Sequence, residues 1–143
     1  MKYLLDTNVI SELISKQPNE EVIAWVDGLE PLSLYLSVIT LGEIRKGIEK
    51  LPPSKRRSDI TTWLEKDLLV RFHGKIAPIS TQVMLTWGRM VGSLELEGKP
   101  MPAMDSLIAA IALQGNYTLV TRNDEDFKHI AIQVINPWKT VKR

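Results

Sequence analysis

The chain has no cysteine and only two histidines among its 143 residues. Without thiols there is no disulfide framework, no thiolate nucleophile and no sulfur ligand for zinc, and the composition suits a reducing cytoplasm. His73 and His129 lack the helical spacing of a zinc site and belong to no legible Ser-His-Asp arrangement, so both read as surface or packing residues. No apolar run approaches the ~20 residues of a membrane span, and the first residues lack the basic segment, apolar segment and cleavage site of a secretory leader. Gly42 and Gly47 do not lead into the Gly-Lys-Ser/Thr ending of a phosphate loop. A formal net charge of +1 gives no strong field toward or away from nucleic acid, so any such contact must come from local patches.

What is present is an ordinary globular balance, 44% hydrophobic and 24% charged, over a length that predicts one domain spanning residues 1–143. Apolar patterning alternates strand and helix, which predicts a three-layer α/β/α fold around a central parallel sheet. Residues 3–5 form the first strand. A helix with Val9, Ile10, Leu13 and Ile14 on its apolar face follows, capped by Thr7 or Asn8. Further helices are expected over 20–29, from Thr40 to the prolines at 52 and 53, over 54–69, over 80–96 and over 103–113. The helix over 80–96 should bury Val83, Met84, Trp87, Val91 and Leu94. Strands are expected over 34–39, 118–121 and 132–135, a broken extended segment over 70–79, and a brief helix over 124–130. Trp25, Trp63 and Trp87 fall among aliphatic residues at helical spacing and read as core, whereas Trp138 has no evident place.

The acidic residues of interest sit at element junctions. Asp6 ends the first strand, Glu43 falls in the first turn of the helix after the second, and Asp105 opens the apolar helix over 103–113. Asp124 and Asp126 follow the strand over 118–121. In a parallel sheet the strand ends of one sense line a single edge, where open α/β folds place their ligands. Carboxylates meeting there repel unless neutralised, and magnesium or manganese is the natural neutraliser of an all-oxygen site.

Each residue also has a structural reading. A helix cap at Asp6 is unneeded if Thr7 and Asn8 serve. Glu43 completes an S/T-x-x-E capping box with Thr40, worth ~1 kcal/mol, and taken alone reads as a cap. Asp105 is the only charge from Met101 through Asn116, and a solitary carboxylate on a buried helix is costly without a partner, which favours function. Asp124 fits a Thr121-x-x-Asp124 cap, and Asp126 reads equally as surface or site. The cluster Lys55-Arg56-Arg57 reads as a solvated helix start.

Taken together, Leu4-Leu5-Asp6-Thr7-Asn8, Thr40-Leu41-Gly42-Glu43, Asp105-Ser106-Leu107-Ile108-Ala109-Ala110 and Leu119-Val120-Thr121-Arg122-Asn123 resemble a PIN-domain protein. The resemblance is to the VapC toxins of type II toxin–antitoxin modules, particularly their FitB-like branch, which Val134-Ile135-Asn136-Pro137-Trp138 also resembles. It runs through essentially the whole chain, in order. It implies a three-layer fold, a homodimer, and endoribonuclease activity dependent on magnesium or manganese. It also implies a cognate VapB-like antitoxin whose tail enters the toxin's active-site groove and whose other domain binds operator DNA. By position, Asp6, Glu43 and Asp105 match the family's acidic metal-site residues. The family's fourth acidic position is Asn123 here, a departure that leaves a carbonyl oxygen but no charge; Asp124 or Asp126 could supply the missing carboxylate. Thr7, Asn8 and Thr121 are expected to orient the ligands, and Arg122, Lys46 and Arg45 to contact flanking phosphates. Two alternatives stay open. A haloacid-dehalogenase-type phosphatase would use Asp6 as nucleophile, but has a second Asp where this chain has Asn8. A catalytically weak PIN-fold binding module would act only through its complex with antitoxin and operator DNA.

Overall fold

Strand β1 (Tyr3–Leu5) is the central strand of a five-stranded sheet described here from a computed structural model, in which residues 1–139 are described. It pairs in parallel with β2 (Leu34–Ser37) on one side and with β4 (Thr118–Val120) on the other. Beyond β2 lies β3 (Ile76–Ala77), and beyond β4 lies β5 (Val134–Ile135), giving the order β3-β2-β1-β4-β5 with every pairing parallel. The chain therefore moves outward from β1 to β3, then crosses back to β4. The reversal between β1 and β4 is a topological switch point, where crevices open at the carboxyl ends of strands.

Alternate strand residues feed two cores. Leu4 and Leu119 join Val83 and Leu94 of α6 (Thr81–Leu96) and Ile108 and Ile111 of α7 (Ala103–Gly115). Leu5, Leu36 and Val120 join Val9 and Ile10 of α1 (Thr7–Leu13), Val26 of α2 (Glu20–Asp27) and Ile44 and Ile48 of α3 (Val38–Glu49). Burial of both faces is what strands apolar at every position require, and it produces the three-layer α/β/α architecture expected. Trp25, Trp63 and Trp87 pack against these cores as expected, and both histidines are exposed.

Several boundaries differ from the sequence reading. Strand β2 stops at Ser37, whose hydroxyl accepts the Thr40 N–H at 3.2 Å and caps α3. The β-branched Val38 and Ile39 resemble strand continuation but form the first turn instead. The helix expected over 54–69 runs on to Arg71 and is not uniform: α4 (Lys55–Thr62), a π-helical stretch (Trp63–Leu68) and α5 (Leu69–Arg71) follow one another. Phe72, expected in an extended segment, is buried behind it, and Gly74 at φ 77 turns the chain into β3. Met84 is 40% exposed rather than buried, because the face turned to α7 runs through Val83, Trp87 and Leu94. The helix expected over 124–130 is a single 3-10 stretch, Asp124–Phe127. Among the described residues no helix is long and apolar enough to cross a membrane.

Candidate active site

Asp6 stands at the switch point. Its N–H donates to Val120 O at 2.9 Å, extending the β1–β4 ladder by one rung before the chain turns into α1. Its Oδ1 accepts the Thr7 N–H at 2.8 Å, so Asp6 itself caps α1 and the expected caps Thr7 and Asn8 do not. Those two side chains are free for other bonds. Asp6 Oδ2 accepts the Thr121 hydroxyl at 2.8 Å and the Asn8 amide at 3.4 Å. The carboxylate is 6% exposed. Burial raises its pKa above the ordinary value, the Thr121 and Thr7 bonds oppose that rise, and the negative charge of Glu43 adds to it.

Glu43 reaches the site from α3. Because Ser37 is the cap, Thr40 is not, and no capping box holds Glu43 back at the helix start. Instead the Thr7 hydroxyl donates to Glu43 Oε1 and lies 3.1 Å from the Thr40 hydroxyl. Thr7 and Thr40 thus join α1 to α3 beneath the carboxylate.

Asp105 lies in the first turn of α7 and forms no hydrogen bond or ion pair among the described residues. Burial first, and then the negative charges of Asp6, Asp126 and Glu43, push its pKa up. Those four carboxylates share one electrostatic neighbourhood. Asp124 does not belong to it. Its carboxylate accepts Asn136 Nδ2 at 3.1 Å and Lys139 Nζ at 3.3 Å, and the Asn136 bond leads in holding it below the usual carboxylate range. Nor does Thr121 cap the turn that begins at Asp124: Asn123 occupies that position, without a side-chain bond.

Asn8 ties β1 to the loop after β4. Its amide donates to Thr121 Oγ1 at 3.2 Å, and its carbonyl accepts the Arg122 N–H at 3.0 Å. The Thr121 hydroxyl also accepts the exposed Asn123's backbone N–H at 3.1 Å. Arg45 pairs with Glu49 at 2.8 Å on the surface, while Lys46 is exposed. Lys55-Arg56-Arg57 opens α4, with Lys55 paired to Asp59 and Arg57 to Glu49. The sequence reading included Asn136 in the Val134-to-Trp138 motif but gave it no role in the site. It is buried beside the loop after β4, and its only sequence signal is its place in the Asn-Pro pair after β5.

The donor set is all oxygen: carboxylates from the end of β1, α3, α7 and the turn after β4, with Thr and Asn groups fixing Asp6 and Glu43. Among the described residues no three His, Cys, Asp or Glu side chains are placed together so as to hold a metal ion. Beyond the effect of burial, the charge of Glu43 raises the pKa of Asp6, and those of Asp6, Asp126 and Glu43 raise that of Asp105; among the described residues no cation is paired with any of the four. In chemistry, though not as a closed cluster, such hard-oxygen donors are of the kind that bind a divalent metal ion. Beside Thr7 and Glu43 an apolar groove of about 180 Å³ runs along Ile14, Ile44, Ile60 and Trp63. A larger cavity of about 470 Å³ lies elsewhere, between α6, the end of α7 and His129, away from the carboxylates.

Sequence and structure comparisons agree with one another. The PIN domain family matches residues 3–133. The chain is similar to the toxin FitB of Neisseria gonorrhoeae, 39% identical over 94% of this chain and 97% of that protein. It is similar to the VapC ribonuclease Y4jK of Sinorhizobium fredii, 34% identical over 95% of this chain and 97% of that protein. Its fold superposes on a solved structure of FitAB bound to the IR36 DNA fragment with a TM-score of 0.92, at 37% identity, covering 99% of each chain.

Proposed function

This chain belongs to the PIN-domain family, and on that footing we propose that it is a metal-dependent endoribonuclease, the toxin of a type II toxin–antitoxin pair. The observation that supports this reading is that Thr7 bonds both Asp6 and Glu43 at the switch point, while Asp105 feels the charges of Asp6, Asp126 and Glu43 and no cation among the described residues is paired with any of them. Relatives named as ribonucleases and as a toxin support it.

Asp6, Glu43, Asp105 and Asp126 would hold the ion. Magnesium or manganese bound there supplies the charge that stabilises the attacking and leaving oxygens of a phosphodiester and helps ionise the attacking water. Asp6 is fixed by Thr7, Asn8 and Thr121, so its oxygens keep one orientation throughout. Glu43 is oriented by the Thr7 hydroxyl. Asp105, without a hydrogen bond of its own, keeps both oxygens available. Asp126 supplies the charge that Asn123 lacks, and Asp124 is engaged elsewhere. Arg122 contacts a flanking phosphate. Attack by water leaves a 3′-hydroxyl and a 5′-phosphate.

The groove along Ile14, Ile44, Ile60 and Trp63 suits an apolar segment of a cognate VapB-like antitoxin, which would lie against Thr7 and Glu43 and close the site. Operator DNA would be bound through that antitoxin, the toxin acting as a homodimer in the cytoplasm.

Incubating total cellular RNA with the wild-type protein and with Asp6→Asn, each in magnesium, manganese or EDTA, tests the proposal. Cuts by the wild type that need the metal and vanish in the variant are expected. A folded, antitoxin-free wild type that cuts nothing under any of these conditions would overturn it in favour of a binding module.

A further inference from the structure

The turn that follows β5 has no part in the chemistry above, yet Asn136 and Lys139 bond it to the site's last loop. Asn136 is 8% exposed, and its Nδ2 donates to Arg122 O at 2.8 Å and to Asp124 Oδ1 at 3.1 Å. Its Oδ1 accepts the Trp138 N–H at 2.9 Å, which fixes where the indole stands. Lys139 adds a contact to Asp124 at 3.3 Å. Trp138 packs on the core shared by α1 to α4, and the Arg122 guanidinium lies over its ring, 5.2 Å from the ring centroid.

That placement has a chemical consequence. A guanidinium over an indole is drawn to the ring face, which narrows its range of orientations while leaving its N–H groups open. Among the described residues the Arg122 side chain has no hydrogen-bonded or ion-paired partner, although carboxylates lie nearby. Its main chain is pinned on both sides, the N–H by Asn8 and the carbonyl by Asn136. Asn8 in turn bonds Asp6, so the guanidinium is referenced to the carboxylates through one side chain. A planar fork of unspent donors, fixed beside an acidic cluster, matches a phosphate oxygen pair.

We propose that the Asn136–Pro137–Trp138 turn is a clasp that holds Arg122 as a phosphate-binding group beside the carboxylates, with Trp138 its positioning residue and the backbone of single-stranded RNA its ligand. The proposal rests on the ribonuclease reading for the identity of the strand. Trp138 touches no substrate; it acts through Arg122. Removing the indole frees the guanidinium to sample many orientations, and the affinity it contributed is lost with the arginine still present.

The test reads affinity apart from cleavage. Binding of a fluorescent single-stranded RNA oligonucleotide to the full chain is measured in EDTA over a series of salt concentrations, for wild type, Arg122→Ala, Trp138→Leu, the two combined, and Trp138→Phe. Arg122→Ala is expected to weaken binding about tenfold and to lower the slope of log affinity against log salt by about one contact. Trp138→Leu should weaken binding by a similar factor, the combination should be no weaker than Arg122→Ala alone, and Trp138→Phe, which keeps a ring face, should recover most of the loss. Trp138→Leu and Arg122→Ala effects that multiply in the combined variant would overturn the clasp, as would Trp138→Leu that binds like wild type. Should Trp138→Leu fail to fold, Trp138→Phe against Arg122→Ala still decides: a phenylalanine variant as weak as the alanine variant contradicts stacking as the device. A wild type that binds RNA with this pattern but never cuts it contradicts the nuclease reading alone. A wild type that cuts while Trp138→Leu keeps full affinity contradicts the clasp alone.

Discussion

Asp124 and Asp126 are near neighbours in sequence, and what separates them is the turn after β5. Asn136 and Lys139 lie 12 and 15 residues beyond Asp124 and take up its carboxylate. Asp126 has no such partner among the described residues, and its charge acts on Asp105. Asp126→Asn is therefore expected to slow RNA cleavage by at least about tenfold, the scale of loss for groups that support a metal ligand. Asp124→Asn, whose amide oxygen still accepts from Asn136, should stay near wild type; single-turnover cleavage of one RNA oligonucleotide compares the two. At this scale the sequence was legible where a residue's position on its own element decides its role. Asp6 after a strand and Asp105 alone on an apolar helix both stood out. The choice between Asp124 and Asp126 depends on contacts from a distant turn, and no local pattern carries that information. The role of Asn136, named only as part of a motif, was illegible for the same reason.

Among elements, α3 shows how one residue of slippage changes a functional reading. With Thr40 as cap, Glu43 would bond back to its own helix start. With Ser37 as cap, Glu43 is left to meet the Thr7 hydroxyl. The β-branched Val38 and Ile39 favour strand by propensity, and only the hydroxyl of Ser37, buried at the strand end, tips the chain into a helix there. Ser37→Ala should cost about 1 kcal/mol of stability, measurable by urea unfolding, because the Thr40 N–H loses its acceptor. The π-helical stretch Trp63–Leu68 lay beyond the sequence reading, since one extra residue in a turn leaves the apolar period almost unchanged. Strands β1 and β4 were legible almost to the residue, being short apolar runs with both faces buried.

For the whole molecule, alternation of strand and helix gave the class, but the order β3-β2-β1-β4-β5 follows from pairings that only the folded chain reveals. That order brings residues as far apart as Asp6 and Thr121 into a 2.8 Å hydrogen bond. It also buries carboxylates and gathers like charges, with a measurable cost. Asp6 and Asp105 both titrate above their ordinary 3.8, so the folded chain holds these protons more tightly than the unfolded chain does. The stability they contribute is present in full below about pH 4 and is lost as pH rises through their folded values. In EDTA, Asp105→Asn is expected to melt higher than wild type at neutral pH and at the same temperature near pH 3.5, roughly the unperturbed range of an aspartate. A variant that melts no higher than wild type at neutral pH would show that burial and repulsion do not penalise the Asp105 charge.

The same gathering of charge makes metal affinity the direct test of the site as a whole. Calorimetric titration of manganese into the antitoxin-free protein at neutral pH should show binding by wild type and by Asp124→Asn. The affinity should fall at least about tenfold in each of Asp6→Asn, Glu43→Gln, Asp105→Asn and Asp126→Asn. Equal affinities across these variants, or no manganese bound by a folded wild type, would contradict a metal centre built from these carboxylates.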